Sequence, residues 1–175
     1  AGDRDRARRH WELPAEAFVV GHMGRLAEEK NLPAFVDAAR RHPDLLFTVA
    51  GDGPLRGYVE QAARDNDNLH YAGWIARSSL GAMLDEQDIL VLPSHVESFG
   101  TVALEAMARG RLVLVSAACG ITAWRRLRSA LYCVEPGEDV AGALARIRAL
   151  PAAEHRRVRV PPFDARELDL AAMLE

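Results

Sequence analysis

The sequence is poor in cysteine and lysine, and it contains no long hydrophobic run. Its two cysteines, Cys119 and Cys133, lack the spacing of metal ligands and are too few for a disulfide framework, which favours a reducing compartment. No apolar stretch approaches the roughly 20 residues that cross a bilayer. The first ten residues carry charges of both signs and no hydrophobic segment, unlike a signal peptide. We therefore expect a cytoplasmic protein.

The sequence also lacks a large excess of charge of either sign. Its net charge is −3 and it has no long basic block, so nucleic acid is not expected as a partner. No cluster of Asp, Glu and His residues has the pattern of metal ligands, and neither a P-loop nor a complete dinucleotide-binding glycine fingerprint is present. We therefore expect neither a metal ion nor a bound cofactor.

Short apolar segments alternate with helix-type sequences along the 175 residues, about the length of one domain. The predicted strands are residues 18–23, 45–50, 69–72, 89–92, 112–116 and 131–134. The predicted helices include residues 32–41, 55–64, 78–85, 139–150 and 164–174, with a short polar helix at 4–12. Asn31 and either Ser78 or Ser79 are the predicted caps. This alternation predicts a Rossmann-like, doubly wound parallel α/β sheet of about six strands, with right-handed crossovers.

Five loops follow the carboxyl ends of these strands. They comprise residues 24–30, 51–54, 73–75, 93–101 and 116–120. Although the loops are far apart in sequence, a parallel sheet brings them to one edge, and ligands bind at that edge in open α/β sheets. This convergence is the central structural expectation for the chain.

The segment from Pro93 to Gly110 contains the most informative loop and the helix that follows it. The free N–H groups of a first helical turn, here near Thr101, attract anions. Glu105, about one turn into the helix, could accept hydrogen bonds from two ribose hydroxyls, and Glu97 could hold a second ring. Alternatively, both carboxylates only complement the helix dipole and increase solubility.

Arg25 and Lys30 provide the only strong pair of positive charges in the first two loops. Arg25 as a planar fork and Lys30 as a point charge could hold a diphosphate. The alternative is a solvated loop in which Glu28 and Glu29 pair with them locally. We interpret His95 as polar surface rather than as a base or a metal ligand. Together the loops suggest a site for a nucleotide, a diphosphate and a sugar.

The segment Glu97–Gly110, with its two glutamates, resembles the signature of the glycosyl transferases group 1 family. These are retaining enzymes of the GT-B fold that transfer sugars from nucleotide donors. Other loops fall in the family's order and spacing: Gly24–Leu26 with Lys30–Asn31, Gly51–Pro54 and Gly73–Ile75. The resemblance covers about residues 13–150, and the tail from Phe163 is similar to the family's closing helix.

The resemblance implies a role for each matching residue. The implied catalytic residues are Arg25 and Lys30, which would neutralise the departing diphosphate in place of a metal ion, and Glu97, which would bind the donor sugar. The implied substrate-binding residues are Gly24, Gly51, Ile75, Ser98, Phe99, Gly100, Thr101 and Glu105. Among them, Glu105 would bind the ribose and the Ile75 backbone would contact the base. The implied donor is a UDP- or GDP-hexose.

Members of the family also have an N-terminal domain that holds the acceptor, and this chain begins just before the donor half. We therefore expect a lead-in over residues 1–13, a nucleotide-sugar-binding domain over 14–160, and a closing helix over 161–175. Without the N-terminal acceptor domain, the chain is expected to be inactive. Arginines at 125–128 and 156–159 could contact an anionic membrane, at the inner membrane face, or could simply be solvated.

Two other hypotheses remain open at the sequence level. One is a degenerate donor domain that serves as a scaffold, because residues 117–131 lack the glycine pair and glutamate found in many members of the family. The other is a different GT-B enzyme, such as a nucleotide-sugar epimerase. A phosphorylase is disfavoured because it would need a pyridoxal lysine, and Lys30 is the only lysine in the sequence.

Overall fold

A computed structural model of the chain describes residues 16–155, apart from the side chains of Arg126 and Ala152. The helices predicted at 4–12 and 164–174, and the arginines at 156–159, lie outside the described residues. Among the described residues, no helix combines the length and the apolar character needed to cross a bilayer.

The centre of the fold is a six-stranded parallel sheet in the order β3-β2-β1-β4-β5-β6. Its strands are β1 (Val19–Met23), β2 (Leu46–Ala50), β3 (Leu69–Gly73), β4 (Ile89–Leu92), β5 (Leu112–Val115) and β6 (Tyr132–Cys133). Val20 pairs with Phe47 of β2 on one side and with Ile89 of β4 on the other. The strand order reverses direction beside β1, so the predicted doubly wound α/β fold is confirmed.

The described region has six α-helices, of which the first five connect successive strands and the last follows β6. They are α1 (Leu32–Arg41), α2 (Arg56–Asp65), α3 (Arg77–Glu86), α4 (Thr101–Ala108), α5 (Arg125–Arg128) and α6 (Val140–Ala149). Short 3₁₀ turns precede α1 at Glu28–Lys30 and α5 at Gly120–Ala123, and another occurs at Ala152–Glu154. The boundaries lie within about two residues of the predicted ones, which is the usual uncertainty of helix ends.

Asn31 occupies the predicted N-cap position of α1 but its side chain does not cap the helix, and the prediction of a serine cap for α3 is wrong. Asn31 precedes α1 with a left-handed backbone (φ 51°) and makes no side-chain cap; instead, its amide donates to the Pro93 carbonyl at 3.2 Å. Ser78 and Ser79 lie inside α3, whose N-cap is Ala76. The Asn31 side chain therefore ties the first loop to the loop after β4, a contact between residues 62 positions apart.

Hydrophobic side chains cover both faces of the sheet. On one face, α1, α2 and α6 pack over residues such as Phe47, which meets Phe35 edge-to-face at 5.3 Å. On the other face, α3 and α4 cover Leu90 and Leu92. Because β4 is buried on both faces, its successive residues are all apolar, which is why a continuous apolar run predicted it correctly.

Main-chain hydrogen bonds join the loops at the carboxyl edge to one another. The bonds run from Gly24 N–H to Ala50 O (3.1 Å), Gly51 N–H to Gly73 O (2.8 Å), His95 N–H to Glu29 O (2.8 Å) and Gly120 N–H to Glu97 O (2.9 Å). Each loop is thus bonded to the end of a neighbouring strand or loop. These bonds fix the loops relative to the sheet without depending on particular side chains.

Replacing Gly51 tests how closely these loops are packed. A Cβ at Gly51 would lie 1.8 Å from the Gly24 carbonyl oxygen, and its φ of 143° disfavours any side chain. We expect Gly51→Ala to lower the free energy of unfolding by about 3 kcal/mol or more, measured by urea denaturation.

Gly137→Ala is the matched control for this measurement. Gly137 also has a positive φ of 81°, but no described atom lies within 4 Å of the added Cβ. Gly137→Ala should therefore lower the free energy of unfolding by only about 1–2 kcal/mol, from backbone strain. If the free energy of unfolding decreased equally in the two variants, the contact between the loops would not be tight.

Candidate functional site

A cleft of about 570 Å³ opens at the carboxyl edge of the sheet, where the loops after β1 to β4 meet the start of α4. Nine of the residues singled out in the sequence line it: Gly24, Arg25, Lys30, Gly51, Ile75, Glu97, Gly100, Thr101 and Glu105. The predicted loops therefore share one concave surface although they span 81 positions, from 24 to 105.

Ser98 and Phe99 do not line the cleft. Ser98 is exposed, and the half-buried Phe99 ring packs edge-to-face against Trp124 at 5.3 Å. The Phe99 carbonyl accepts a hydrogen bond from the Ile121 N–H at 3.1 Å. In this structure both residues lie against the loop after β5. Their substrate-binding roles stay predictions.

The loop after β5, where the sequence departs from the family pattern, packs directly against the segment that carries Glu97. A Cβ at Gly120 would lie 1.9 Å from the Ser98 carbonyl oxygen, so the two main chains meet where only glycine fits. The buried Cys119 thiol also donates to the Phe99 carbonyl at 3.4 Å, and burial raises its pKa. This loop therefore holds in place the segment that contributes Glu97 to the cleft.

Lys30 and Glu97 form the central ion pair of the cleft. The Lys30 Nζ lies 2.5 Å from a Glu97 carboxylate oxygen, and each side chain is only 17% exposed. Such a shielded, charge-assisted contact is stronger than a solvated pair. The residues implied for the phosphate and for the sugar therefore contact each other in this structure.

Arg25 pairs locally, as the alternative interpretation of its loop proposed. Its guanidinium lies 3.6 Å from Glu29, and the two side chains are 66% and 39% exposed. A solvated pair of this kind contributes about 0–1 kcal/mol. An anion that enters the cleft could therefore replace Glu29 at little energetic cost.

Glu105 lies in α4 and faces the start of α3. One of its carboxylate oxygens is 3.2 Å from the Arg77 guanidinium, whose side chain is 87% exposed. Gly100 adopts a left-handed conformation (φ 84°) as the N-cap of α4, without a side-chain cap. The first turn of this helix therefore borders the cleft along Gly100, Thr101 and Val102.

His22 is a residue of the cleft that the sequence reasoning missed. It is fully buried in β1, and its Nδ1 lies 3.0 Å from the Val91 carbonyl, to which it must donate. Burial, aided by the charge of Lys30, lowers its pKa from 6.5 to about 4. The sequence feature that could have identified it is a histidine within an otherwise apolar strand segment.

Across residues 16–155, no group of three or more His, Cys, Asp or Glu side chains is placed to hold a metal ion. His95, interpreted as polar surface, is exposed and uses its main-chain N–H to bond Glu29. The charged groups of the cleft are thus guanidinium, ammonium and carboxylate, which suit phosphate and hydroxyl groups.

Comparison with known proteins identifies relatives of the chain. Residues 3–160 match the sequence profile of the family described as glycosyl transferases group 1. The glycogen synthase of Mycobacterium tuberculosis is 36% identical over 164 residues, which cover 87% of this chain and 38% of that protein.

Solved structures of related proteins share the fold. Sucrose-phosphate synthase from Thermosynechococcus elongatus superposes with a TM-score of 0.74 at 28% identity, covering 87% of this chain and 41% of that one. HepE from Anabaena, solved with UDP and glucose, superposes with a TM-score of 0.69 at 26% identity, covering 83% and 41%. The chain thus spans about two fifths of the length of these relatives.

The buried His22 makes a prediction about acid stability. Its folded-state pKa of about 4 lies below the unfolded value of 6.5, so the unfolded chain binds a proton first as the pH falls. The contribution of the neutral His22 to the free energy of unfolding should therefore be fully present above pH 6.5. It should decrease by up to about 3 kcal/mol as the pH approaches 4. Urea denaturation at several pH values measures this decrease.

His22→Asn keeps a side-chain N–H for the Val91 carbonyl but removes the titration, so its stability should decrease less between pH 6.5 and 4. The control is His70→Asn, on an exposed residue of β3, which should retain the wild-type acid dependence. If His22→Asn retained the full wild-type decrease, another group would be responsible.

Proposed function

Because this chain belongs to the glycosyl transferases group 1 family, with a GT-B-type fold, we propose that it binds the nucleotide-sugar donor of a retaining glycosyltransferase. The donor would be a UDP- or GDP-hexose, and the acceptor would be held by an N-terminal domain. The observation that carries the proposal is the single cleft that gathers Arg25, Lys30, Glu97 and Glu105. The relative HepE, which has been solved with UDP and glucose, supports this class of ligand.

Arg25 and Lys30 would stabilise the leaving diphosphate. Reaction at the anomeric carbon passes through an oxocarbenium-like state, and negative charge accumulates on the departing phosphate. Two cations at that position would lower the barrier without a metal ion. Lys30 would then contact both Glu97 and the phosphate. Arg25 would release Glu29 and bind the phosphate instead.

The carboxylates would bind the sugar rings at either side of the diphosphate. Glu97 would accept hydrogen bonds from hydroxyls of the donor hexose, and Glu105 would accept them from the ribose. Gly24, Gly51 and Gly100 would let the main chain approach the ligand closely. Thr101, in the first turn of α4, would add a helix N–H group for the phosphate, and the Ile75 main chain would contact the base.

The rest of the enzyme would complete the reaction. Since the chain spans 38% of the related glycogen synthase, we propose that the acceptor binds to an N-terminal half, and that this chain alone does not transfer sugar. The exposed Arg125 and Arg128 of α5 would suit peripheral contact with an anionic membrane at the cytoplasmic face.

Calorimetric titration with UDP, GDP and ADP tests the proposed donor site. The wild-type chain should bind at least one of them, and Arg25→Ala should weaken binding by about tenfold or more, because a hydrogen bond to a charged group contributes about 1.5–3 kcal/mol. Glu105→Ala should weaken nucleotide binding but not the binding of pyrophosphate.

Arg40→Ala is the matched control, since Arg40 is an exposed arginine of α1 that does not line the cleft. It should bind nucleotides as the wild type does. If the wild-type chain bound no nucleotide, the scaffold hypothesis would be favoured. Robust sugar transfer by this chain alone would refute the proposal that it needs an acceptor domain.

A further inference from the structure

His22 lies where the two central strands of the sheet separate. β1 pairs with β2 as far as Met23, but its pairing with β4 ends at Gly21. His22 follows directly, and its Nδ1 donates to the Val91 carbonyl of β4 at 3.0 Å. Its ring also packs against the Phe35 ring of α1, with 5.7 Å between the ring centroids. The imidazole is therefore fixed in position at the cleft that it lines.

The second ring nitrogen of His22 is a buried acceptor. Because a carbonyl oxygen only accepts, Nδ1 carries the proton of the neutral ring, and Nε2 is unprotonated. Nε2 is buried, and no described group donates a hydrogen bond to it. Buried polar atoms without a partner are unfavourable and rare in native proteins, so this nitrogen is suited to a donor that reaches it from the cleft.

Lys30 is the charged neighbour that can supply such a donor. His22, Lys30 and Glu97 line the same cleft. Burial is the main cause of the low pKa of His22, but the charge of Lys30 lowers this pKa further and the charge of Glu97 raises it, so both act on the ring. A carboxylate only accepts, whereas an ammonium has three N–H donors, and a described residue accepts only one of these, Glu97 at 2.5 Å.

The turn that carries Lys30 is attached to the same strand end as His22. The side-chain amide of Asn31, the next residue, donates to the Pro93 carbonyl at 3.2 Å. Pro93 follows Val91, the acceptor for His22, by two positions. The imidazole and the turn before α1 are therefore both anchored to the carboxyl end of β4.

We propose that His22 is a positioning residue for Lys30: in the donor complex, its Nε2 accepts a hydrogen bond from the Lys30 ammonium. The proposal rests on the proposed donor function, in which Lys30 binds the diphosphate. The three N–H groups of Lys30 would then bond Glu97, His22 and a phosphate oxygen. Three directed bonds would hold the ammonium in one orientation, and a charge that is already oriented stabilises a leaving group best. His22 itself would not contact the ligand.

Replacing His22 by asparagine or glutamine separates the roles of its two ring nitrogens. Asparagine keeps an N–H for the Val91 carbonyl but removes the acceptor, whereas glutamine reaches the position of Nε2 and places an amide oxygen there. In titrations of the full chain with inorganic pyrophosphate, His22→Asn should weaken binding by about three- to tenfold, the equivalent of one hydrogen bond, and His22→Gln should weaken it less. The control is His70→Asn, on an exposed residue of β3 outside the cleft, which should bind as the wild type does.

The ammonium itself gives a readout that a merely structural role of His22 would not change. Because Lys30 is the only lysine in the sequence, isotope-labelled lysine gives one side-chain ammonium signal in the NMR spectrum. An ammonium whose three N–H groups are all bonded exchanges its protons with water more slowly. Saturating pyrophosphate should therefore slow this exchange in the wild type and in His22→Gln, but much less in His22→Asn. In the wild type alone, the His22 Nε2 signal should shift as pyrophosphate binds, which tests the contact even if a variant does not fold.

The outcomes separate this inference from the donor-site proposal. If the wild type binds pyrophosphate and His22→Asn binds it equally well, the positioning role is overturned and the donor site stands. The positioning role is also overturned if His22→Gln loses as much affinity as His22→Asn, or if the wild-type Nε2 signal does not respond to bound pyrophosphate. If the wild type binds neither pyrophosphate nor a nucleotide, both proposals are overturned.

Discussion

The cleft depends on main-chain hydrogen bonds that join the loops at the carboxyl edge of the sheet. The loop after β1 is bonded to the loops after β2 and β4, and the loop after β4 is bonded to the loop after β5. Because the main chain makes these bonds, the side chains that point into the cleft can differ without moving the loops. The residue type is instead restricted at glycines such as Gly51 and Gly120, where two main chains meet and a side chain would not fit.

The electrostatics of the cleft follow from this arrangement. Each carboxylate of the segment 97–105 is paired with a cation from a different part of the chain, Lys30 for Glu97 and Arg77 of α3 for Glu105, but the two pairs differ in strength. Lys30 and Glu97 are shielded from water, so breaking their contact leaves charges poorly solvated. Arg77 is largely in water, so its contact with Glu105 is screened. A ligand would therefore displace Arg77 more readily than it would separate Lys30 from Glu97.

The sequence predicted the fold well because the fold rests on local patterns. Buried strands are short apolar runs, and their alternation with helices allows few topologies. The contacts between the loops were less predictable, because they join distant residues: Lys30 meets Glu97 across 67 positions, and the side chain of the N-cap residue Asn31 donates to the Pro93 carbonyl rather than capping α1. His22 was missed because a single polar residue in a strand gives no indication of its burial or its partner.

Donor binding and sugar transfer need not reside in the same part of the chain. The cations and carboxylates of the cleft all come from residues 22–105, within a sheet whose two faces are covered by helices of the described region. On the proposed donor role, this site would hold its ligand without help from a second domain. Transfer also needs an acceptor hydroxyl placed against the anomeric carbon, and alignment of two reactants contributes strongly to catalysis. A donor domain separated from its acceptor domain should therefore retain affinity for the nucleotide while losing turnover.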